Sequence, residues 1–161
     1  MIKIAVLSDT HSYMIPDQVR KALKDADFVI HAGDICDAKL FKEISDLNTV
    51  KAVYGNMDEA ALRRKLPRRL IFKCEGLQIG VVHGNGSPEG LISRVEQDFE
   101  GQKVDVVVFG HSHEPFNKKI GEVLFFNPGS PNDNIFAPYR SYGILEIHGE
   151  AVKAKIIKVE A

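Results

Sequence analysis

Cysteine, net charge and long apolar runs are all scarce in this chain, and each shortage removes a class of protein. Only Cys36 and Cys74 occur, and they form no CxxC pair. Neither a disulfide framework nor a cysteine-rich structural zinc site is therefore open to the sequence, and a reducing compartment is the default. No apolar run reaches the ~20 residues a membrane span requires, and the N terminus shows neither a basic flank nor a small-residue cleavage site. The reading is a cytoplasmic protein with no membrane partner. With 21 basic against 22 acidic side chains the formal charge is -1, so no overall field draws the chain to nucleic acid, which is not an expected partner. There is no internal repeat, low-complexity tract or linker. The 161 residues are read as one domain, 1–161, and at that size folding buries roughly 70% of the surface of the extended chain.

What is present is organised by strand ends. Ile2 to Leu7 is apolar except for Lys3 and stops at Ser8-Asp9-Thr10-His11; Val104 to Phe109 is apolar except for Asp105 and stops at Gly110-His111-Ser112-His113. An Asp-x-His and a His-x-His pair at the ends of extended segments place their side chains on one side, because side-chain direction repeats every second residue.

Between these ends the pattern alternates. Ile15, Val19, Ala22 and Leu23 have helical spacing, with Pro16 at a first helical position. Phe28 to Ile30 predicts a strand that ends in His31-Ala32-Gly33-Asp34; Leu40, Phe41, Ile44 and Leu47 predict the next helix. Val50 to Tyr54 predicts a strand ending in Gly55-Asn56-Met57-Asp58, followed by a helix over Glu59 to Lys65 that Pro67 ends. Leu70 to Cys74 and Leu77 to Val82 form an expected hairpin around Glu75-Gly76, and the second run delivers His83-Gly84. Pro88 opens a helix carrying Leu91, Val95 and Phe99, and after the His-x-His strand the chain reads as β over Phe116–Ile120, Val123–Phe126, Ser141–Ile147 and Ala151–Val159. This order predicts an α/β fold with two mixed sheets packed face to face and helices outside.

Asp9, His11, Asp34, Asn56, His83, His111 and His113 all fall just past strand ends, where open α/β sheets bind ligands. A single Asp or Asn there is an ordinary turn former, but caps need no imidazoles. Oxygen and imidazole donors together suit borderline divalent ions. Seven donors exceed one such ion and suit two, with Asp34 bridging and a water between the metals.

The ordered set Asp9-x-His11, Gly33-Asp34, Gly55-Asn56, His83-Gly84 and Gly110-His111-x-His113 resembles the calcineurin-like metallophosphoesterase superfamily over residues 1 to 130. The small size and Asn127-Pro128-Gly129-Ser130 make it most similar to the compact branch of microbial phosphodiesterases, to which the retromer scaffold subunit is also similar. The resemblance implies a four-layer αββα sandwich. It also implies one metal held by Asp9, His11, Asp34 and His113, and a second held by Asp34, Asn56, His83 and His111. Asp34, Asn56 and His83 are read as catalytic as well as ligating, and the cofactor as two divalent ions per chain, manganese first, then nickel, zinc, iron or cobalt. The implied activity is hydrolysis of a small phosphodiester by a metal-bridging water or hydroxide. The rival reading is a non-catalytic, metal-binding scaffold for protein partners.

In many members of that superfamily a histidine follows the Gly-Asn pair; here Met57 stands there, leaving Asp58 or a metal-bound water as acid, or favouring esters whose leaving groups need no proton. His31 is expected to support the site, Cys36 to be a small buried residue, and Arg63, Arg64, Lys65, Arg68 and Arg69 to form a solvated face. Ile135, Phe136 and Tyr139 are the candidate surface for a protein partner or a homo-oligomer.

Overall fold

The first strand, β1 (Ile2–Leu7), is apolar at successive positions because both its faces are covered. Ala5 and Leu7 point into one apolar cluster with Val19, Leu23 and Ile44, whereas Ile4 and Val6 point the other way, onto Ile79, Val81, Val106 and Val108. The computed structural model describes residues 1–160, and that two-sided strand lies at the centre of the first of two five-stranded sheets.

The other elements, in chain order, are α1 (Asp17–Asp25), β2 (Phe28–His31), α2 (Ala38–Leu47), β3 (Val50–Ala52), α3 (Ala60–Lys65), β4 (Arg69–Cys74), β5 (Leu77–Val82), α4 (Leu91–Asp98), β6 (Val106–Val108), β7 (Phe116–Ile120), β8 (Val123–Asn127), β9 (Ser141–His148) and β10 (Ala151–Lys158). The first sheet has the order β10-β9-β1-β2-β3 and the second β4-β5-β6-β8-β7. Within the first, β1, β2 and β3 are parallel, β9 pairs antiparallel with β1, and β10 pairs antiparallel with β9; within the second, β5, β6 and β8 are parallel, flanked by antiparallel β4 and β7.

One apolar cluster fills the space between the sheets. A second lies between the first sheet and the helices α1, α2 and α3. A third seats Leu91 and Val95 of α4 on Val107 and Phe125 of the other sheet. The αββα arrangement expected from the sequence is therefore observed.

Local boundaries differ for identifiable reasons. Pro16 is the cap of α1, with ψ 148°, and the helix begins at Asp17 rather than at the proline. Asp37 caps α2 by accepting the Leu40 amide at 2.8 Å. The expected strand from Val104 to Phe109 keeps only three regular residues, because Asp105 turns its carboxylate onto the Gln78 amide at 2.8 Å. Val53 and Tyr54 likewise lie beyond the end of β3, and Phe99 is the C-cap of α4 rather than part of it. No helix among the described residues is long and apolar enough to cross a membrane.

Candidate metal centre

The parallel strands of both sheets end at a shared rim, and there the backbone leaves ordinary geometry. Asp9, His11, Asp34, Cys36, His111 and His113 all have left-handed φ, between 50° and 78°; the remaining non-glycine residue in that region is Glu75, in the β4–β5 hairpin. Each such residue costs about 1–3 kcal/mol. The Asp-x-His and His-x-His side chains thus converge by left-handed turns, not by the extended-strand alternation the sequence led us to expect. Two glycines permit the turns to touch: a Cβ at Gly55 would lie 2.6 Å from the Asp34 amide nitrogen, and one at Gly110 would lie 2.7 Å from Asp9 Oδ2.

Two groups of donor atoms form there, Asp9 with His11 and His113, and Asp9 with Asp34 and His83. In the first, the Nε2 atoms of His11 and His113 face each other at 3.3 Å, and His113 Nε2 is 3.3 Å from Asp9 Oδ1. His113 Nδ1 donates to Asp133 Oδ2 at 2.6 Å, so a neutral His113 turns its Nε2 lone pair inward. In the second, His83 Nδ1 donates to the Ala32 carbonyl at 2.7 Å. Its Nε2 then faces Asn56 Oδ1 at 3.1 Å, Asp34 Oδ2 at 3.2 Å and Asp9 Oδ1 at 3.7 Å.

Asp9 Oδ1 is buried and accepts no hydrogen bond, although Oδ2 accepts from the Ser8 hydroxyl at 2.6 Å and the His111 amide at 2.9 Å. A buried carboxylate oxygen with no backbone or hydroxyl donor, faced only by two imidazole nitrogens, requires a positive charge beside it and fits a cation shared by these donors. Asp9 supplies a donor to both groups and Asp34 to the second, where its Oδ2 faces His83 while its Oδ1 accepts the Met57 amide at 2.8 Å.

Asn56 meets His83 as expected. His111 stands edge-on to the His83 ring, with centroids 5.2 Å apart, but its Nε2 donates to the Gly86 carbonyl at 2.7 Å. It joins neither converging group.

Burial disfavours a charged imidazole at both His83 and His113, yet the carboxylates outweigh it. Asp9 and Asp34 push His83 up to about 9, and Asp9 and Asp133 push His113 up to about 9. Asp9, although burial works against its charge, is held well below the usual carboxylate range by His83, His113 and Ser8. In metal-free protein, protons therefore stand where cations would. Because both folded-state values are raised from 6.5 to about 9, this contribution to stability is complete below pH 6.5 and is lost as pH climbs through about 9. Metal must displace the same protons. The melting temperature of metal-free protein is expected to fall from about pH 6.5 to about pH 9 while the stabilisation by saturating manganese grows. An equal manganese effect at both ends of that range would contradict the assignment.

The sequence matches the calcineurin-like phosphoesterase superfamily domain over residues 2–150. The chain belongs to that superfamily. It is 33% identical over 163 residues to a protein of Methanothermobacter thermautotrophicus named "Probable metallophosphoesterase", covering 98% of this chain and 93% of that one. A phosphodiesterase of Methanocaldococcus jannaschii is 28% identical over 145 residues, 80% of this chain and 83% of the relative. Among solved structures, wild-type Vps29 of Entamoeba histolytica in complex with zinc superposes with a TM-score of 0.74 at 25% identity, covering 98% of this chain and 99% of that one.

In this member of the superfamily several supporting side chains carry more than the sequence indicated. Asp58 accepts from the amides of Asp34 at 3.1 Å, Ile35 at 2.7 Å, Cys36 at 2.6 Å and Gly55 at 2.6 Å. It is buried and ties two ligand loops together, so it is no proton donor to a substrate. Ser130 Oγ donates to the Asp9 carbonyl at 2.8 Å, Asn132 Nδ2 to the Thr10 carbonyl at 2.8 Å, and Asp133 holds His113. Ser130, Asn132 and Asp133 lie in the irregular stretch between β8 and β9, where Ser130 closes the Asn127–Ser130 segment of the resemblance and Asn132 and Asp133 show only as turn-forming residues.

His31 is buried support, as expected. Its Nδ1 accepts the Gly33 amide at 3.1 Å, its Nε2 faces Thr10 Oγ1 at 3.0 Å, and burial lowers it to about 4. Cys36 differs from expectation, being only partly buried, with Sγ 3.3 Å from His11 Nδ1; burial and nearby carboxylates raise its thiol to about 11. The basic cluster is dispersed, with Arg63 over the Tyr54 ring, Lys65 over Phe41, and Arg68 paired with Asp98. Arg140 donates to the Glu160 carbonyl.

Proposed function

We propose that this chain is a phosphodiesterase that hydrolyses small phosphodiesters with two divalent ions, manganese first among them. The observation that carries the reading is the unpartnered Asp9 Oδ1, aimed between two sets of imidazole and carboxylate donors. Asp9, His11 and His113 would hold one ion; Asp34, Asn56 and His83, with Asp9 at their edge and His111 alongside, would hold the other. When bound, such ions supply Lewis acidity toward phosphoryl oxygens and a nucleophilic water at neutral pH.

The chain's own groups supply the rest. Asn56 presents its amide oxygen to His83, and its NH₂ is the donor offered to a phosphate oxygen as charge develops. Asp133 and the Ala32 carbonyl fix the tautomers of His113 and His83, so that both Nε2 lone pairs point inward. No side chain next to Asn56 serves as acid, since Met57 cannot donate a proton and Asp58 is occupied by backbone amides. Turnover is therefore greatest for esters with stable leaving groups, such as aryl diesters.

The donor set of nitrogen and oxygen accommodates nickel, zinc, iron or cobalt as well, and both cysteines are free thiols, which suits a reducing cytoplasm. The scaffold reading rests on likeness to Vps29, which in Entamoeba histolytica also binds zinc, so hydrolysis and not metal binding separates the two readings.

The test is metal content together with hydrolysis of bis(p-nitrophenyl) phosphate and p-nitrophenyl phosphate, before and after chelation. Two ions per chain and a chelator-sensitive diesterase restored by manganese are expected. Bound metal with no hydrolysis of either ester would replace this reading with the scaffold.

A further inference from the structure

A cavity of about 640 Å³ opens directly from the first donor group: His11 and His113 form its floor, and Tyr13, Ile135 and Phe136 form its wall. That volume is in the range of small-molecule sites. The wall residues are unusually bare for their type, with 65% of Tyr13, 83% of Ile135 and 84% of Phe136 exposed. Exposed side chains of this size usually sit on loose loops, but this segment is fastened. Asp133 accepts the amides of Ile135 at 2.8 Å, Phe136 at 3.1 Å and Ala137 at 3.1 Å. The same carboxylate receives the His113 Nδ1 proton. Asn132 and Ser130 anchor the segment on the other side, to the carbonyls of Thr10 and Asp9. Ile135 and Phe136 are thus held in fixed register with the donor atoms of His11 and His113.

The opposite flank has different chemistry. Beyond His83 a smaller cavity is lined by Tyr54, Asn56, Arg63, Arg68 and Asn85, and the Arg63 guanidinium stacks on Tyr54 with no acidic partner among the described residues. Two separate cavities thus adjoin the donor groups, one with an apolar wall beside His11 and His113 and one polar and cationic beside Asn56 and His83.

We propose that the cavity walled by Tyr13, Ile135 and Phe136 is the subsite for a flat apolar ester group of the substrate, so that the diester lies with its ring beside His113 and its polar substituent toward Arg63. This rests on the phosphodiesterase reading and names its substrate class: an asymmetric diester with one planar, apolar substituent, of the aryl or nucleobase kind. The absence of a side-chain acid agrees with the aryl case, because an aryl oxide leaves without a proton, whereas a nucleoside leaves as an alkoxide that must take its proton from water. A ring on Phe136 gains about one aromatic contact, or up to about tenfold in affinity.

The test uses binding rather than turnover. Phenylphosphonate and methylphosphonate are titrated into manganese-loaded protein by calorimetry, with wild type, Phe136→Ala and Ile135→Ser compared. Wild type is expected to prefer the phenyl compound by about tenfold. Phe136→Ala should cut that preference to about threefold or less and leave methylphosphonate unchanged; Ile135→Ser should act in the same direction. Both side chains are exposed, so neither change removes core packing. No phenyl preference in wild type, or a preference that both variants keep, overturns the subsite. So does a dimer in sedimentation that Phe136→Ala dissociates without altering phosphonate binding, which would give the wall to a second copy of the chain. Because binding is read directly, a phenyl preference in protein that hydrolyses nothing would retain the subsite while the catalytic reading failed. Thymidine and phenyl esters of methylphosphonate, titrated in the same way, distinguish a nucleobase from a simple aryl ring.

Discussion

Asp9→Asn is expected to lower diesterase activity by about a thousandfold or more, equivalent to about 4 kcal/mol of transition-state stabilisation, and to leave the fold nearly unchanged. The asymmetry follows from the two oxygens. Oδ2 accepts the Ser8 hydroxyl and the His111 amide, and the asparagine carbonyl can take its place and keep both bonds. The new NH₂ then occupies the position of Oδ1, where it meets His83 and His113 Nε2 atoms that stand 3.7 and 3.3 Å away. An acceptor shared by both donor groups becomes a donor that fills the imidazole lone pairs. One substitution thereby damages both groups, whereas a change at His11 touches one. Metal content should fall from about two ions to one or fewer, with a circular-dichroism melt close to wild type. Near-wild-type activity or two retained ions would remove Asp9 from the centre.

How much of this was legible in the sequence depends on the range of the interaction that fixes each residue. The strands and helices were readable because their apolar periodicity is local, and β1 was readable as buried on both faces from its near-continuous run. The donors were readable because Asp, Asn and His recur just past strand ends. What could not be read was how they converge. Asp9 and His111 are brought together across the two sheets by one hydrogen bond, from the His111 amide to Asp9 Oδ2, and the left-handed φ at six loop residues is only weakly signalled, since Asp and His are enriched there but adopt it in a small minority of cases. The amide of Met57 on Asp34 Oδ1 is likewise a main-chain contact that side-chain chemistry does not report. Asp133 was missed for a related reason. It lies twenty residues beyond His113 in sequence, within a stretch whose composition reads only as turn.

Asp58 gives the sharpest instance and the second large effect. A carboxylate two residues beyond the Gly-Asn pair reads in the sequence as one of the candidate proton donors, but the fold surrounds it with four amides from two loops. Oδ1 takes those of Ile35 and Cys36, and Oδ2 those of Asp34 and Gly55, so an asparagine amide placed at either oxygen confronts two N–H donors. Asp58→Asn is expected to cost about 2–4 kcal/mol, since each buried donor left unpaired costs about 1–3 kcal/mol. For a domain of this size that corresponds to a fall of about 5–15 °C in melting temperature. The strained turns at Asp34 and Cys36 would relax with the loss of these bonds, and metal affinity and activity would fall together with stability. A catalytic acid predicts another outcome: unchanged melting, a lost limb in the pH–rate profile, and activity on aryl diesters spared relative to alkyl ones. Thermal melts of wild type and Asp58→Asn in metal-free buffer separate the two, because a proton donor contributes nothing there and a carboxylate that clasps both loops contributes most.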